Sequence, residues 1–119
     1  MRFMVIHKSN ADSEAGIPPS KALIEGVHKI LGEAAANGIL LAGEGVHASS
    51  RGARLHFGDG KVTVTDGPFA EAKELIAGFV IIDVPSKQDA IEWAKRYGEV
   101  LGGPDIEIRQ VVEASDLPS

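Results

Sequence analysis

The stretch Thr65–Glu74, TDGPFAEAKE, is the most informative part of this chain. It carries four charges, one glycine and one proline between two segments that alternate like strands. Gly67 tolerates backbone angles that other residues avoid, while Pro68 fixes its own φ and keeps Gly67 out of the helical region. Asp66 can accept a backbone N–H in an Asx turn, and Phe69 can pack in apolar surroundings. The stretch therefore predicts a rigid corner between two strands.

The segment before this corner predicts a β-hairpin. Residues 53–57 and 61–65 alternate in the manner of strands. Asp59 and Gly60, between them, form a pair that adopts the positive φ angles of a tight type I′ turn. One side of the hairpin is polar and carries Arg54, His56, Lys61 and Thr63.

Four more strands and two helices are predicted around the hairpin. Ser20 begins one helix, which ends near Gly38, and Ser86 caps the other with Asp89 three residues later. The order is strand, helix, strand, hairpin, strand, helix, strand, so we expect one α+β domain over residues 1–119. The remaining strands are expected at 2–8, 39–43, 75 or 76 to 84, and 106–112, with a polar loop at 9–19 and a connection at 44–52.

Both faces of the predicted sheet are apolar. Every position in Phe3–Ile6 and in Phe79–Ile82 is apolar, whereas a strand exposed on one side would be polar at every second residue. Two helices cover only one face, and an identical sheet related by a two-fold axis is the simplest cover for the other. We therefore expect a homodimer. The alternative is a monomer whose hairpin folds back over that face.

Composition restricts the location and the partners of the protein. A chain of 119 residues with 44% apolar and 24% charged residues has the size and balance of a single globular domain. Its formal charge of −5, with 12 basic residues scattered among 17 acidic ones, opposes nucleic-acid binding. The lack of cysteine excludes disulfides and thiolate metal sites and fits the cytoplasm. Because no apolar run matches a signal peptide or a membrane span, we expect a cytoplasmic protein without a membrane partner.

The corner, its continuation to Phe79 and three further stretches resemble the YCII-related (DGPF-domain) family. These stretches are Leu41–His47, Gly52–Arg54 and Ala90–Arg96. The resemblance covers nearly the whole chain. It implies a ferredoxin-like sheet with two helices on one face and an inserted β-hairpin, paired into a dimeric α+β barrel. Most members of the family have no established activity.

A catalytic pair known from related proteins is missing from this sequence. In part of the wider superfamily, a His on the first helix and an Asp after the second strand are proposed to transfer protons. Here Gly26 occupies the position of that His, and the Asp position falls within Ala48–Ser50. His28 lies two residues from Gly26, about 200° around the helix. The pair therefore cannot be carried over to this chain.

Ionisable residues near the corner and on the loop after the second strand are the candidate site residues. Sites collect on loops held by a rigid scaffold, and burial in a cleft raises the pKa of a carboxyl group so that it can accept a proton. We expect Asp66 to approach His47 or Arg51 in such a cleft. The alternative is that the corner is architecture and its charges are solvated. The candidates are Asp66, His47 and His28 for catalysis, and Arg51, Glu71 and Lys73 for substrate binding.

The other notable residues favour structural roles. The four histidines have no metal-ligand spacing, so neither a metal nor another cofactor is predicted. His7 is expected to face the interface or the cleft. Trp93 and Tyr97 share a helical stripe that is typical of core packing, and Glu107 and Arg109 are expected to form an ion pair on one strand face.

Two functions remain open at this point. The first is a small cleft enzyme that performs proton-transfer chemistry, of isomerase or lyase type, on an organic substrate. The second is a non-catalytic dimeric module that binds a small ligand or another protein, in the sigma-factor-linked regulatory setting that the family resemblance implies. The sequence does not decide whether the protein is an enzyme.

Overall fold

The computed structural model describes residues 1–118, apart from the side chain of Lys73. It is an α+β fold with one four-stranded antiparallel sheet, a separate two-stranded hairpin and three helices. The strands are β1 (Arg2–Lys8), β2 (Leu40–Gly45), β3 (Ala53–Gly58), β4 (Lys61–Asp66), β5 (Ile76–Asp83) and β6 (Ile106–Gln110), and the helices are α1 (Ala11–Glu14), α2 (Lys21–Ala36) and α3 (Lys87–Val100).

The four-stranded sheet has the order β2-β5-β1-β6, and the hairpin consists of β3 and β4. Without the hairpin, the chain is a β-α-β-β-α-β unit with α2 and α3 as its two long helices, the pattern of a ferredoxin-like fold. The hairpin is inserted between β2 and β5, as expected.

Local sequence signals explain where the helices and the hairpin turn lie. The side chain of Ser20 accepts the backbone N–H of Leu23, and the side chain of Ser86 accepts that of Asp89, so both predicted N-caps are confirmed. In the hairpin turn, Asp59 and Gly60 have φ angles of 53° and 72°. These angles confirm the predicted type I′ geometry.

The predicted loop at 9–19 contains a helical turn and is the main error in the element assignment. The side chain of Asn10 accepts the backbone N–H of Ser13 at 2.8 Å and caps α1. With only four residues, α1 shows no apolar periodicity, which explains why the sequence does not reveal it. Several strand boundaries also shift by one or two residues. The largest differences are in β2, which spans Leu40–Gly45 instead of 39–43, and in β6, which ends at Gln110 instead of Val112.

The core lies between the sheet and the two long helices, and the opposite face of the sheet is uncovered. Fully buried side chains of β1 and β5 form the centre of the core beneath α2 and α3. The intervening positions of the same strands are only partly buried. We call this second surface the open face, and its members on β1 and β5 are Met4, Ile6, Phe79 and Ile81.

The hairpin does not cover the open face. Its strands pair only with each other, and every residue from 53 to 66 is exposed. The radius of gyration is 16.3 Å, against about 13.5 Å for a compact chain of this length. The hairpin thus does not fold back over the sheet, and the oligomeric state stays a prediction.

Candidate functional site

One concave site of the described structure is a cleft between α2 and the sheet. We call it the inner cleft, and its volume is about 290 Å³. Its walls are largely apolar, with Leu23, Val27 and Leu31 from α2 and Val80 from β5. Small apolar clefts of this kind, with a few polar groups, are where proteins bind small molecules.

The inner cleft continues into a wider groove. This outer groove has a volume of about 680 Å³ and lies between the 9–20 segment and the end of β2. The two spaces adjoin, because they have lining residues in common. The residues that line both are His7, Pro19, Leu23, Gly45 and Leu101.

His7 is the ionisable residue common to both spaces. Strand alternation places it on the same face as Phe3 and Val5, which is the face that the helices cover. On the neighbouring strand it lies opposite Gly78, where a Cβ atom would lie 2.6 Å from Cε1 of the imidazole. A glycine at position 78 thus leaves the room that the ring of His7 occupies.

Tyr97 of α3 holds the imidazole from the other side. Its hydroxyl lies 3.3 Å from Nδ1 of His7, and the two rings meet edge to face with their centroids 5.8 Å apart. Trp93 stacks on Tyr97, with a centroid distance of 5.1 Å and an interplanar angle of 17°. The predicted core stripe is confirmed, and one of its members also presents a hydroxyl to the cleft.

Burial shifts both groups toward their neutral forms. It lowers the pKa of His7 and raises the pKa of Tyr97 to about 12, because the low-dielectric surroundings disfavour either charge. At neutral pH the cleft therefore contains an uncharged imidazole beside a protonated phenol. When Nδ1–H of His7 donates to the oxygen of Tyr97, Nε2 has a free lone pair and can accept a proton.

Two of the predicted histidines line this site. His28 lies on α2, exposed at the inner cleft, and His47 lies at the outer groove. Nε2 of His47 is 3.1 Å from Nη1 of Arg51, so these two predicted residues contact each other. Both are exposed, and they place a cationic group near the entrance of the groove.

The residues predicted from the corner lie away from the cleft. Asp66 ends β4 opposite Ala53, is exposed and lines neither the inner cleft nor the outer groove. The N–H groups that follow it are bonded elsewhere, that of Gly67 to Gly52 and that of Phe69 to Ser49, and Pro68 has none, so the expected Asx turn is wrong. Glu71 is exposed before the helical turn Ala72–Glu74, and the side chain of Lys73 lies outside the described residues. Their roles in catalysis and substrate binding stay predictions.

The corner and the loop after β2 do meet, through backbone groups and a serine. The N–H of Gly67 donates to the carbonyl of Gly52 at 3.0 Å, and the N–H of Phe69 donates to Oγ of Ser49 at 2.9 Å. Ser49 in turn donates its N–H, at 2.8 Å, and its hydroxyl to the carboxylate of Glu14. These bonds fix the corner and give it a structural role.

The guanidinium of Arg54, on β3 of the hairpin, packs on the ring of Phe69 in the corner. It lies 3.9 Å from the ring centroid of Phe69, a cation–π contact. The predicted apolar environment of Phe69 is therefore partly polar.

The expected ion pair on the last strand, β6, is confirmed, with 3.1 Å between Nη1 of Arg109 and Oε2 of Glu107.

Two further features are absent from residues 1–118. In that range no three His, Asp or Glu side chains are grouped so that they could hold a metal ion. Within the same range, none of the helices has the length and apolar character needed to cross a bilayer.

Comparison with known proteins identifies one family and one relative by sequence. A profile of the YCII-related domain matches residues 1–115. An uncharacterized protein of Rhizobium meliloti (strain 1021) is 33% identical over 70 residues, which cover 56% of this chain and 56% of the relative. The match thus spans little more than half of that relative's length.

A solved structure with the same fold belongs to an enzyme. It is the 5-chloro-2-hydroxyhydroquinone dehydrochlorinase TftG of Burkholderia phenoliruptrix AC1100, in complex with 2,5-dihydroxybenzoquinone. The match has a TM-score of 0.51 and covers 97% of each chain at 12% identity. At this identity the similarity shows the fold alone.

Proposed function

Since the chain belongs to the YCII-related family, we propose that it is a small cleft enzyme that transfers a proton on an organic substrate, with His7 as the base. The observation that carries this proposal is the neutral His7–Tyr97 pair in the inner cleft. Ionisable groups with shifted pKa values that meet in a cleft are typical of catalytic sites. A pocket built only for passive binding has no need of them.

The substrate that fits best is a single substituted ring or a molecule of similar size. A cavity of ~150 Å³ accepts benzene, and the inner cleft has about 290 Å³. The apolar walls from α2 favour a largely apolar body, and His7 requires an acidic C–H or O–H on it. The dehydrochlorinase with the same fold acts on a substituted hydroquinone by its name, which agrees with this size class.

The chemistry needs no further reactant. Nε2 of His7 takes a proton from the substrate, while Nδ1–H donates to the oxygen of Tyr97 and stabilises the imidazolium that forms. The electron pair left on the substrate either expels a leaving group, which completes an elimination, or takes the proton back at another atom, which completes an isomerisation. Positioned bases of this kind contribute ~10² to 10⁴ in rate.

The entrance of the site can hold an anionic substituent. The Arg51 guanidinium donates to His47 at the outer groove and retains further N–H groups for a carboxylate or phenolate. His28 and Glu44 line the inner cleft. We assign substrate orientation to His47 and Arg51 and leave proton abstraction to His7.

The active form in this proposal is a homodimer. The open face consists of apolar side chains that neither the helices nor the hairpin cover. A second copy of the sheet, related by a two-fold axis, would remove these side chains from water and complete an α+β barrel.

Hydrogen–deuterium exchange on small ring compounds tests the enzyme. The protein is incubated in D2O with a panel of substituted hydroquinones, catechols and cyclic ketones, and loss of C–H signals is followed by NMR. We expect exchange with at least one compound, a decrease of ~10²-fold or more in the His7→Gln variant, and wild-type rates in His56→Gln. His56 is the matched control because it lies on the exposed hairpin, away from both spaces of the site.

Two results would contradict this function. Equal exchange rates in the wild type and in His7→Gln would remove His7 from the mechanism. Binding of a ring compound, seen as shifts of the Tyr97 and His7 signals, without any exchange or turnover would instead favour the binding module.

A further inference from the structure

A second apolar groove lies behind the stacked rings of Trp93 and Tyr97. We call it the Trp93 groove, and its volume is about 520 Å³, within the range of ~300–1,000 Å³ that is typical of ligand sites. Its apolar lining comes from Ile39, Val84, Pro85 and Trp93, and of these Val84 and Trp93 are buried. Tyr97, the other member of the stack, lines the inner cleft. The stack therefore lies between two spaces that can each hold a small molecule.

The charged lining of the Trp93 groove favours a cation. It has four carboxylates and two basic side chains, which leaves a formal charge of −2 at neutral pH. Both basic groups, Lys95 and Arg96, are already in ion pairs of 3.2 Å. Asp89 and Glu99 have no basic partner among the described side chains. An ammonium group therefore finds carboxylates without a counterion, whereas an anion would have to break an existing ion pair.

The indole of Trp93 adds a hydrogen-bond donor to this groove. Trp93 is 7% exposed, and within residues 1–118 its N–H donates to no protein acceptor. In the same range no fully buried side-chain nitrogen or oxygen lacks a partner, so this N–H is in contact with solvent. Trp93 lines the Trp93 groove and neither the inner cleft nor the outer groove. An acceptor oxygen on a ligand in the groove can therefore bind the indole.

We propose that the Trp93 groove binds a small amphipathic amine that carries a hydroxyl group, and that this ligand regulates His7 through the Trp93–Tyr97 stack. The apolar lining holds the body of the ligand, Asp89 and Glu99 hold the ammonium group, and the indole N–H donates to the hydroxyl oxygen. The regulatory part rests on the function proposed above for His7, whereas the binding part does not.

Three side chains in contact connect the groove with the proposed base. The rings of Trp93 and Tyr97 have their centroids 5.1 Å apart and an interplanar angle of 17°, so a ligand that shifts the indole also shifts the phenol. The hydroxyl of Tyr97 lies 3.3 Å from Nδ1 of His7 and accepts Nδ1–H when Nε2 acts as the base. Packed side chains of this kind carry coupling between sites, which is typically worth ~5- to 150-fold. Binding in the groove thus alters how firmly the Nδ1–H tautomer of His7 is held.

Fluorescence tests the site, because Trp93 is the single tryptophan of the chain. The first probe is 2-amino-1-phenylethanol, which is a cation at neutral pH. The second is 3-hydroxy-3-phenylpropanoate, which has the same ring and hydroxyl group but a carboxylate in place of the amine. We expect a saturable change of emission with the amine and at least ~10-fold weaker binding of the carboxylate. Unchanged emission at millimolar amine, or equal affinities for the two probes, would overturn the site.

A matched pair of variants tests the carboxylates of the groove. Glu99→Gln removes a charge that lines the groove, and Glu25→Gln removes one from an exposed position of α2 outside it. We expect Glu99→Gln to weaken binding of the amine by roughly 3- to 5-fold, the size of an exposed ion pair, and Glu25→Gln to leave it unchanged. Equal affinities of the two variants would overturn recognition of the amine by these carboxylates.

NMR locates the bound amine. We expect its largest methyl shifts at Ile39 and Val84, which line the Trp93 groove. Largest shifts at Leu23 and Val27 would place the amine in the inner cleft and overturn the second site.

The imidazole signals of His7 measure the coupling. We expect saturation with the amine to shift them in the wild type and to shift them much less in Tyr97→Phe, which keeps the stack and loses the hydroxyl, while the affinity for the amine is unchanged. Unmoved His7 signals in the wild type, or equal shifts in the two proteins, would overturn the coupling while the site stands. Equal hydrogen–deuterium exchange in the wild type and in His7→Gln would contradict the proposed function and leave the titration of the groove unaffected.

Discussion

The hydroxyl of Tyr97 lies 3.3 Å from Nδ1 of His7 and joins α3 to β1 across 90 residues of sequence. Three separate features produce this contact: strand alternation turns His7 toward the helices, Gly78 leaves space for its ring, and Trp93 stacks behind Tyr97. The pair is thus held by the core itself. A base supported by packed residues is better oriented than one on a mobile loop.

Acidification should destabilise the protein through His7. Its pKa in the folded state is lowered by burial from the ordinary value of 6.5, so below pH 6.5 the unfolded chain binds more protons than the folded one. The stability that neutral His7 provides is complete above pH 6.5 and is lost as the pH falls through the folded-state pKa. We expect the melting temperature to decrease from pH 7 to pH 5 in the wild type and to decrease less in His7→Gln.

The two carboxylates with lowered pKa values do not explain such a change. Hydrogen bonds from Arg109 and Arg2 lower the pKa values of Glu107 and Glu113 below 4.5, so these groups titrate under the pH range of the test. If the melting temperature falls by the same amount in the wild type and in His7→Gln between pH 7 and pH 5, the burial of His7 has no effect on stability.

Substitution of Gly67 should damage the corner far more than substitution of a charge in it. A Cβ atom at position 67 would lie 1.7 Å from the carbonyl oxygen of Ser49, a backbone atom that cannot move away freely. We expect Gly67→Ala to lower the free energy of unfolding by ~3 kcal/mol or more, and Glu71→Ala to change it by less than about 0.5 kcal/mol. Gly32→Ala is the control, since no atom lies within 4 Å there and alanine favours a helix by ~1 kcal/mol. Similar denaturation midpoints for Gly67→Ala and Glu71→Ala would refute the structural role.

Removal of the Ser49 hydroxyl should loosen the same corner. The hydroxyl bonds both the carboxylate of Glu14 and the N–H of Phe69, and bonds to charged groups contribute ~1.5–3 kcal/mol. We expect Ser49→Ala to lower the free energy of unfolding by that amount, measured by urea denaturation. Ser50→Ala, at the exposed neighbour, should be neutral. A loss in Ser50→Ala equal to that in Ser49→Ala would mean that the turn, rather than this hydroxyl, is sensitive to substitution.

Local signals predicted much of the fold. Serine caps, the Asp59-Gly60 turn and apolar periodicity act within a few residues, so the two long helices, the hairpin and the strand order along the chain follow from sequence. The four-residue helix α1 does not, because its cap contributes a single hydrogen bond in a polar segment.

The site was harder to predict than the fold. Asp66 belongs to the most informative motif, but the structure explains that motif through Gly67 and the backbone of Phe69. The position of His7 on the helix-covered face of β1 could be predicted, because residues 3, 5 and 7 of a strand point to the same side. Its partner Tyr97 could not be predicted, because a contact between residues 90 positions apart depends on how α3 packs on the sheet.

Gly78 should prove more important for the site than its neighbour Gly45. The two glycines face each other across β5 and β2. A Cβ atom at position 78 would lie 2.6 Å from Cε1 of His7 and 2.7 Å from the carbonyl oxygen of Glu44, whereas one at position 45 meets only a single backbone atom at 3.9 Å. Gly78→Ala must therefore displace the imidazole of His7, and Gly45→Ala need not.

We expect Gly78→Ala to cost ~1–3 kcal/mol of stability and to shift the imidazole NMR signals of His7 away from their wild-type positions, while Gly45→Ala leaves both nearly unchanged. The NMR measurement separates a displaced ring from general destabilisation, because signals of His28 and His56 on other elements report whether the rest of the fold is intact. If the His7 signals stay in place in Gly78→Ala, the ring does not depend on this space. The close packing of β5 would then have no part in positioning the base.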